Sequence, residues 1–553
     1  MFCSLIVCAL LFTARTYSLP SLLRLTPYAP TPATCPASGL SREANGLSAP
    51  EEEYRRSRSI VANKALMDYF HLLSDHLEEP FDLANIEFPA LGLASSGGGI
   101  GSMLNGAGAI QAMDARDKTV SDKGSNISGL YQAVTYHSGT STGAWLVAAL
   151  AGNEDSTIGS LLSDLWMAGF DDPSFIPTMQ HRLPAMYAAF NLDLVAKSTA
   201  GYTPTLVDTL GRVIASHVLK GDESHQTLSG IANSSAFLDH RGPFPVITAL
   251  NVDPRKNISG CIHADLRSPQ YEFHPFEFGS WDSGIRSFSK TAFMGSETMA
   301  GFALSPNTCI QGFDSLGFLV AASTGRFNDY CSAIPASNRF MGQLGNLYND
   351  IIGMTGMVHG LSPRDEYAII PGPFASTTNM GSLSLVDGSQ GGESLPLWPL
   401  LVDARNISVI IALDFSTSAQ DFLPDGSSLY NTYLRAQQLG VWRMPTTPKP
   451  SSLADEGSIK SPKFFGCDDP DKALIIYIPN SAHILGTNAP DWQLQFDSTM
   501  INQLIENGNL VATMKGLDQW PVCIACAIYS KSSNSNRMPS MCVECFGRFC
   551  WRG

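Results

Sequence analysis

The stretches Ser95–Gly108, SSGGGIGSMLNGAG, and Tyr136–Trp145, YHSGTSTGAW, place two glycine turns close together in the chain. Each turn follows a short apolar run, Leu91–Ala94 or Ala133–Tyr136, and precedes a run rich in Ala, Met, Leu and Val that is typical of a helix. A strand, a sharp turn and a helix in that order expose a serine hydroxyl and direct backbone N–H groups toward an oxyanion. The two stretches therefore predict an acyl hydrolase with Ser141 as its nucleophile.

The second turn reads Gly139-Thr140-Ser141-Thr142-Gly143. A nucleophile turn needs small residues on both sides of the serine, because the backbone folds tightly there. The apolar run before this turn and the helix-like run after it are the setting that such a turn requires. The alternative is an ordinary turn serine, since a GxSxG match by itself is a weak signal.

The first turn contains the triple glycine Gly97–Gly99. Two phosphate-binding motifs fail here. The P-loop pattern through Gly101 and Gly106 has Ala107 where it needs Lys, and the dinucleotide fingerprint has Ser102 where it needs Gly. A run of backbone donors at a helix start remains, which suits an anion formed during a reaction. A flexible turn is the alternative.

A nucleophilic serine needs a base, and two candidates stand out. His137 lies four residues before Ser141, and Asp387 ends an apolar run in SLVDGSQGGESLPLWPLL. An aspartate beside a glycine is also a common turn-former. Spacing along the chain does not decide between them.

Composition limits the kind of protein. The chain has 553 residues, 44% hydrophobic and only 15% charged, which predicts a folded chain with one very large core or two to three ordinary ones. Its net charge of -15 argues against a nucleic-acid partner. We expect the basic run Arg55, Arg56 and Arg58 to be a solvated surface, and any contact with a lipid surface to be transient and apolar.

An α/β fold is predicted from the spacing of apolar residues. A helical pattern through Ala62, Leu66 and Phe70 follows Glu51–Glu53 and marks the start of the folded body. Later runs are apolar throughout, as in strands buried on both faces of a central sheet. These runs are Val246–Leu250, Leu383–Val386, Ser408–Leu413 and Ala473–Ile478. The mostly helical region 153–242 is either an insertion over the active site or a supporting helix layer.

The N-terminus predicts a secreted, extracellular protein. An apolar run at Leu5–Phe12 followed by the small residues Thr16 and Ser18 is typical of a signal peptide spanning 1–18, and the run is too short to cross a bilayer. Residues 19–50 are rich in Pro, Ser and Thr and predict an extended arm held by Cys35. Four glycosylation sequons agree with secretion. They start at Asn126, Asn233, Asn257 and Asn406.

Ten cysteines remain after the predicted signal peptide, an even number that fits disulfides in an oxidising compartment. The pairs Cys523-x2-Cys526 and Cys542-x2-Cys545 also match zinc-ribbon spacing. Secretion favours disulfides, because thiols tend to oxidise outside the cell. Zinc stays open as the rival interpretation.

Seven stretches together resemble the fungal phospholipase B (lysophospholipase) family, which is related to the catalytic domain of group IV cytosolic phospholipases. The resemblance runs in order from about residue 50 to the C-terminus. The stretches are GLASSGGGIGSMLNGAGAIQAMDAR, YHSGTSTGAWLVAAL, GSWDSGIRSF, CIQGFDSLGF, LVDGSQGGESLPLWPLL, FFGCDDPDKALIIYIPN and CIACAIYSKSSNSNRMPSMCVECFGRFCW.

The resemblance implies a central mixed sheet flanked by helices, one catalytic domain at 51–553, and a cysteine-rich C-terminal segment at 515–553. It also implies a Ser–Asp dyad of Ser141 and Asp387, with the backbone N–H groups of Gly98 and Gly99 as oxyanion donors. The implied substrate is a lysophospholipid or phospholipid, with no metal and no cofactor. The oligomeric state stays open.

One departure from the family pattern concerns the substrate. The pattern SGGGxRA has an arginine that holds phosphate, and this chain has Gly101 there; Arg116, further along the predicted helix, does not replace it by spacing. We therefore weigh weak phospholipase activity, a preference for esters without phosphate, and a catalytically silent lipid-binding relative. Gly101→Arg is expected to raise activity on phospholipids. A Ser–Asp–His triad with His483 is a further alternative, because the three residues occur in the chain order of α/β-hydrolases.

Overall fold

The protein is described by a computed structural model that covers most of the chain. No position is assigned to the predicted signal peptide, which lies outside the described residues. The described residues are 28–74, 77–121, 126–171, 184–221, 226–255, 264–299, 301–329, 367–372, 382–455 and 460–552.

The strands of the described chain fall into one large sheet and two short two-stranded pairs. Numbered in chain order, the strands are β1 Thr31–Ala33, β2 Ser41–Glu43, β3 Ala90–Ser95, β4 Val134–Thr140, β5 Phe244–Asn251, β6 Gln270–Phe273, β7 Glu277–Ser280, β8 Ser287–Lys290, β9 Thr298–Met299, β10 Phe302–Ala303, β11 Cys309–Gln311, β12 Ala368–Pro371, β13 Ser382–Asp387, β14 Ile407–Asp414, β15 Lys463–Phe465 and β16 Leu474–Pro479.

The large sheet is mixed. Its main order is β15-β16-β14-β3-β4-β5-β6-β7-β8-β2, and β13 pairs with β5 and carries β12 on its other side. The neighbours β16, β14, β3, β4 and β5 are parallel, and the remaining pairs are antiparallel. The predicted α/β class with a central mixed sheet is confirmed.

The predicted strands all lie in this sheet. Every residue of β5 and of β16 is buried, as expected for apolar runs covered on both faces. Strand β4 is longer than its apolar run predicts, because it continues through His137, Ser138 and Thr140, while Ala133 ends a short helix. These polar residues are also buried between two parallel neighbours, so neither an apolar run nor alternation marks them in the sequence.

Helices flank the sheet. None of the helices among the described residues combines the length and the apolar character that crossing a membrane requires. In chain order they are α1 Ala49–Ser74, α2 Ile100–Met113, α3 Lys118–Ser121, α4 Leu130–Ala133, α5 Thr142–Gly152, α6 Ile158–Leu161, α7 Met167–Gly169, α8 Pro184–Thr199, α9 Leu206–Val218, α10 Ser235–Leu238, α11 Leu316–Thr324, α12 Ser427–Leu439, α13 Pro450–Asp455, α14 Ser498–Ala512, α15 Trp520–Tyr529 and α16 Met541–Phe549.

Helices α2 and α14 pack backbone against backbone. An ideal Cβ on Gly108 would lie 2.0 Å from the carbonyl oxygen of Ile505, and one on Gly508 would lie 1.9 Å from that of Asn105. Neither contact leaves room for a side chain, so these two glycines permit the close approach. Helix α2 begins directly after the triple glycine. The close contact between α2 and α14 therefore fixes this glycine turn relative to the C-terminal region.

The basic run on α1 is only partly the solvated surface that the sequence predicts. Arg55 and Arg56 pair with glutamates one turn away on the same helix. Arg58 is fully buried, and its guanidinium donates to the carbonyl oxygens of Val134 and Gln132 where β4 begins. Burial lowers the pKa of Arg58 to about 10, which leaves it charged at neutral pH. The prediction is wrong for Arg58, whose role is structural.

In the helical region 153–242, helix α9 belongs to a supporting layer. It packs against α11, where an ideal Cβ on Gly211 would lie 2.9 Å from the carbonyl carbon of Gly317. Helix α11 in turn packs against α5 and β13, the elements next to the two predicted catalytic residues. For α9, the supporting layer is therefore the correct one of the two alternatives.

Disulfides join both ends of the described chain to its body. Cys35 in the extended arm bonds to Cys309, so Cys35 holds the described part of the arm as expected. The C-terminal segment is fastened by Cys467–Cys550, Cys523–Cys545 and Cys526–Cys542. The four cysteines with zinc-ribbon spacing thus form two disulfides, and the zinc alternative does not hold. Cys261 and Cys331 lie outside the described residues.

Candidate active site

Ser141 lies at the sharp turn that joins β4 to α5. Its backbone has φ 53° and ψ -128°, a conformation that residues with a side chain rarely adopt. An ideal Cβ on Gly139 would lie 2.4 Å from the carbonyl oxygen of Gly143, and one on Gly143 would lie 2.1 Å from that of Ser95. The two glycines therefore allow the tight turn, as the sequence predicts, and the strained serine is of the kind found at nucleophile turns.

Asp387 lies beside this serine. The Ser141 hydroxyl donates to Oδ2 of Asp387 at 3.1 Å, and both side chains are buried. Strand β5 brings them together, because its consecutive residues Thr248 and Ala249 pair with Thr140 of β4 and with Asp387 of β13. The ends of β4 and β13 therefore meet along one edge of β5.

The remaining hydrogen bonds fix the Asp387 carboxylate. Both the backbone N–H and the hydroxyl of Ser389 donate to Oδ1 at 2.7 Å, which leaves Oδ2 directed at Ser141. Burial raises the pKa of Asp387 above its ordinary value, although the positive charge of Arg326 and the hydrogen bonds from Ser389 and Ser141 act in the opposite direction. A carboxylate with a raised pKa is a stronger base toward the serine proton.

The triple glycine forms the opposite wall of the site. An ideal Cβ on Gly97 would lie 2.6 Å from the Ser141 Cβ and 3.2 Å from its Oγ. Gly98 has φ 134° and Gly99 has φ 89°, which only glycine adopts readily. The Gly97 N–H donates to the Ser394 carbonyl oxygen, whereas among the described residues no acceptor is found for the N–H groups of Gly98 and Gly99. These two donors suit an oxyanion formed next to Ser141.

Three neighbouring side chains were missed by sequence reasoning. Ser323 on α11 accepts the Ser141 N–H at 2.9 Å and donates to the Thr248 carbonyl oxygen at 2.6 Å. Ser389 follows Asp387 by two residues, so its proximity along the chain could have indicated it. Arg326 and Ser323 belong to a segment, AASTGRF, that carries no recognisable signal.

The histidine alternatives are not brought to the serine. His137 binds the Ser95 hydroxyl through Nε2 at 2.8 Å, and burial lowers its pKa to about 3, so it stays neutral and structural. His483 is half-buried, and burial together with the nearby charge of Lys515 lowers its pKa. Among the described residues no histidine contacts Asp387, so the geometry supports a pair rather than a triad.

Neither position considered for a phosphate-binding arginine provides one. Gly101 is buried in the first turn of α2, where an ideal Cβ would lie 2.8 Å from the Ala489 Cβ and 3.5 Å from the Phe496 ring. Arg116 forms an ion pair with Asp114 beyond the end of that helix. The structure does not support the expected gain from Gly101→Arg, which stays a prediction, because even a Cβ at position 101 would require Ala489 to shift.

The predicted glycosylation sites differ in accessibility. Asn233 and Asn406 are exposed. Asn126 is half-buried, and its side-chain amide donates to the Leu517 carbonyl oxygen at 3.2 Å. Asn257 lies outside the described residues. Exposure alone makes Asn233 and Asn406 better acceptors than Asn126.

One buried group in the described chain has donor atoms close enough for a metal ion, namely Glu51, His274 and Glu277. The Glu277 N–H donates to Nδ1 of His274, so the proton of the neutral ring is assigned to Nε2, which faces Glu51 at 3.5 Å. Arg405 and Arg42 bind the two glutamates. Arg405 also binds the buried Glu272. Because Nδ1 of His274 already accepts a hydrogen bond and Nε2 carries the ring proton, neither ring nitrogen offers a free lone pair, and this ion-pair network does not fit a metal.

A serine on a strand–turn–helix elbow, bonded to a carboxylate and facing backbone donors, defines an acyl-hydrolase class of site. Residues 91–553 match the family model described as lysophospholipase catalytic domain. The chain therefore belongs to the lysophospholipase family, a family of carboxylic ester hydrolases. The predicted start of the domain at residue 51 stays a prediction.

Known relatives agree with this membership. The chain is 32% identical to probable lysophospholipase 5 of Schizosaccharomyces pombe over 95% of this chain and 87% of the relative. It is 30% identical to lysophospholipase 1 of Saccharomyces cerevisiae over 100% of this chain and 87% of the relative. The structure of human GIVD cytosolic phospholipase A2 is similar with a TM-score of 0.66 and 17% identity, over 90% of this chain and 69% of that chain, which shows a shared fold.

Proposed function

We propose that this protein releases fatty acid from lysophospholipids or phospholipids, with Ser141 as nucleophile and Asp387 as base. The observation that carries the proposal is the hydrogen bond from the Ser141 hydroxyl to Oδ2 of Asp387 at 3.1 Å. Support comes from the membership of the lysophospholipase family and from the relatives named lysophospholipase.

In the first half of the reaction, Oγ of Ser141 attacks the carbonyl carbon of the fatty-acyl ester while Asp387 takes the hydroxyl proton. The carbonyl oxygen becomes an oxyanion, which the N–H groups of Gly98 and Gly99 stabilise. The bond between the acyl carbon and the glycerol oxygen then breaks. Asp387 returns the proton to the leaving alkoxide, and the acyl group stays on Ser141.

In the second half, water replaces the alcohol. Asp387 takes a proton from the water while the water oxygen attacks the acyl carbon, and the N–H groups of Gly98 and Gly99 stabilise the second oxyanion. Cleavage of the acyl–Oγ bond releases the fatty acid, and the proton returns to Ser141. Ser389 keeps the carboxylate in place throughout, because it binds the oxygen that does not face the serine.

The test measures fatty-acid release from lysophosphatidylcholine and from a neutral monoacyl ester of the same chain length. Ser141→Ala and Asp387→Asn are each expected to reduce kcat by about 10⁴-fold or more, as for nucleophile and carboxylate variants of serine hydrolases. Ser452→Ala is the matched control, because Ser452 is an exposed serine on α13. If the Ser141→Ala variant releases fatty acid as fast as the wild-type protein, Ser141 is not the nucleophile.

A second candidate function is a catalytically weak or inactive lipid-binding relative, and the absence of an arginine at Gly101 favours it. A fluorophosphonate probe distinguishes the two, since covalent labelling of Ser141 requires an activated hydroxyl. The triad alternative is addressed by His483→Ala, which is expected to keep most of the wild-type activity. Near-complete loss in a folded His483 variant contradicts the two-residue mechanism.

We also propose that the protein is secreted. The disulfides of the described chain support an oxidising compartment, and the exposed sequons at Asn233 and Asn406 are compatible with it. Contact with lipid surfaces is proposed to be transient, because the chain carries a net charge of -15.

A further inference from the structure

A cavity of about 580 Å³ lies at the end of the sheet where β14 begins. Its walls are the turns before β14, the chain just after α12, and the loops after β2 and between β7 and β8. Three tryptophans line it, namely Trp281, Trp398 and Trp442. Aromatic walls with a few polar groups among them are typical of a ligand site of this size.

This cavity is separate from the candidate active site. Ser141 follows the end of β4, and β14, β3 and β4 are parallel, so the beginning of β14 lies at the opposite end of the sheet from Ser141. The 8 residues of β14 span about 26 Å. The reaction proposed for Ser141 therefore makes no use of this cavity.

Trp442 forms an exposed wall of the cavity. The side chain is 50% exposed, and its neighbour Leu439 in the lining is 42% exposed. The indole is held in place, because its Nε1 donates to Oδ2 of Asp403 at 3.0 Å. A fixed, exposed apolar surface with a polar rim is typical of an interaction site.

The charges around the cavity favour a neutral ligand. Each of the three tryptophans already has an arginine guanidinium 5.1 to 6.0 Å from its ring centroid, so a cationic ligand has little further attraction to gain from the rings. The pairs are Trp398 with Arg435, Trp442 with Arg443, and Trp281 with Arg405. The exposed charges of the lining, Arg286 and Asp403, are opposite in sign and do not favour an anion.

The sequon residue Asn406 lies at the rim of this cavity. Its N–H donates to the carbonyl oxygen of Asp403 at 3.0 Å, and the carboxylate of the same aspartate holds Trp442. Nη1 of Arg443, the residue after Trp442, donates to Oδ1 of Asn406 at 3.4 Å. Asn406 is exposed, so its Nδ2 is accessible for glycosylation. A glycan on Asn406 therefore begins between the two walls that Asp403 and Trp442 form.

We propose that the N-linked glycan of Asn406 packs its first sugars into this cavity, against Trp442. A sugar ring is neutral and stacks its C–H face on the indole, while its hydroxyl and acetamide groups form hydrogen bonds with exposed polar groups of the lining such as Asn45 and Ser283. Attachment at the rim raises the effective concentration of the sugar, so weak contacts suffice. The proposal rests on the proposed secretion and is independent of the proposed reaction.

Ser408 offers a matched pair of variants, because it is the third residue of the sequon Asn406-Ile407-Ser408 and lies on β14. Ser408→Thr keeps the sequon, and Ser408→Val removes it with a side chain of the same shape that also suits a strand. Asn406 itself stays in place in both variants. Mass spectrometry of the secreted protein measures the occupancy of Asn406, and an unmodified Asn406 in the wild-type protein overturns the proposal.

Hydroxyl-radical labelling of Trp442 measures how far the glycan covers the indole. Labelling is expected to be about threefold higher or more in Ser408→Val than in Ser408→Thr, because a tethered sugar covers the indole most of the time. Leu485, which is 95% exposed and follows the end of β16, is the internal reference. Asn233→Gln, which removes a sequon elsewhere, should leave the labelling of Trp442 unchanged. Equal labelling of Trp442 in the two Ser408 variants overturns the proposal.

Thermal unfolding tests the contact with Trp442 itself. The Tm of Ser408→Val is expected to lie below that of Ser408→Thr by about 1–2 °C more in protein with Trp442 than in the Trp442→Ala background. This comparison cancels the effect of exchanging threonine for valine. An equal difference in both backgrounds overturns the proposed contact. Ester hydrolysis, measured in parallel, should be the same in both Ser408 variants, and its absence in wild-type protein refutes the proposed reaction without affecting the glycan result.

Discussion

At residue 101, a side chain on the first turn of α2 would meet Ala489. The Ala489 Cβ lies 2.8 Å from where a Cβ would be, which is too close, and the Phe496 ring lies at an ordinary contact distance of 3.5 Å. An arginine there would require at least Ala489 to shift. The absent side chain at residue 101 is therefore part of the packing between α2 and the loop after β16.

This packing predicts opposite effects of the same substitution at two glycines of α2. Gly101→Ala is expected to lower the free energy of unfolding by about 1–3 kcal/mol through overpacking. Gly106→Ala is the matched control, because its Cβ would meet Leu146 at an ordinary 3.5 Å. It is expected to raise the free energy of unfolding by about 0.5–1 kcal/mol, since alanine favours a helix. Urea unfolding of each variant measures these changes.

A double variant makes the test specific to the contact. Combining Gly101→Ala with Ala489→Gly removes the short Cβ–Cβ contact, so part of the lost stability should return beyond the sum of the single effects. Additive effects of the two substitutions contradict a direct clash. Higher phospholipid hydrolysis by Gly101→Arg would show that an arginine side chain fits at position 101 and would contradict this account of the packing.

At the scale of elements, α11 supports the strained turn at Ser141. Residues in such backbone conformations persist only where the surrounding structure holds them. Ser323 provides this hold, because one hydroxyl links the Ser141 N–H to the Thr248 carbonyl oxygen of β5. The helix thereby couples the turn to the strand that also pairs with Asp387.

Ser323→Ala is expected to lower both stability and turnover. It leaves a buried backbone N–H without its acceptor, which costs about 1–3 kcal/mol, and it frees the turn to move away from Asp387. Calorimetry and kcat on lysophosphatidylcholine measure the two effects. A kcat equal to that of wild-type protein, at a temperature where the variant is folded, contradicts the supporting role.

Ser280→Ala is the matched control for this helix contact. Ser280 on β7 is also fully buried, donates to the Gln270 carbonyl oxygen at 2.6 Å and accepts the Asp282 N–H at 3.2 Å. Its loss should destabilise the fold by a similar amount. Because β7 is separated from β4 by two strands, kcat should be retained.

At the scale of the whole molecule, disulfides close the C-terminal segment onto the sheet. Cys523–Cys545 and Cys526–Cys542 join α15 to α16, and Cys467–Cys550 ties the chain end near β15. Loops of 22 and 16 residues restrict the unfolded chain enough for about 3 kcal/mol per bond. The stability of this segment therefore depends on oxidation.

Protein isolated from the culture medium is expected to begin after residue 18 and to contain disulfides without zinc. Alkylation in the presence of a chelator but without a reductant should leave Cys523, Cys526, Cys542 and Cys545 unlabelled, whereas reduction first should label all four. Mass spectrometry detects the N-terminus and the labels, and elemental analysis detects zinc. Labelling without a reductant, together with stoichiometric zinc, contradicts the disulfide pairs. An intact apolar N-terminus contradicts the signal peptide.

The sequence by itself determined the local features of this protein. The elbow at Ser141 was predictable because the steric demands of a tight turn are met by glycines within two residues of the serine. The core strands were predictable because burial on both faces requires continuous apolar runs, although the polar end of β4 was not. The motifs in chain order also indicated the family.

Only the tertiary structure decided which distant residues meet. Asp387 lies beside Ser141, 246 residues away in the sequence, because β5 pairs with both β4 and β13. Spacing along the chain had left His137 as an equal candidate for the base. The same holds for the cysteine pairs, for the buried Arg58, for the packing at Gly101 and for Arg326 beside the site. Such contacts depend on the order and register of all the strands at once, and no short stretch of sequence contains that information.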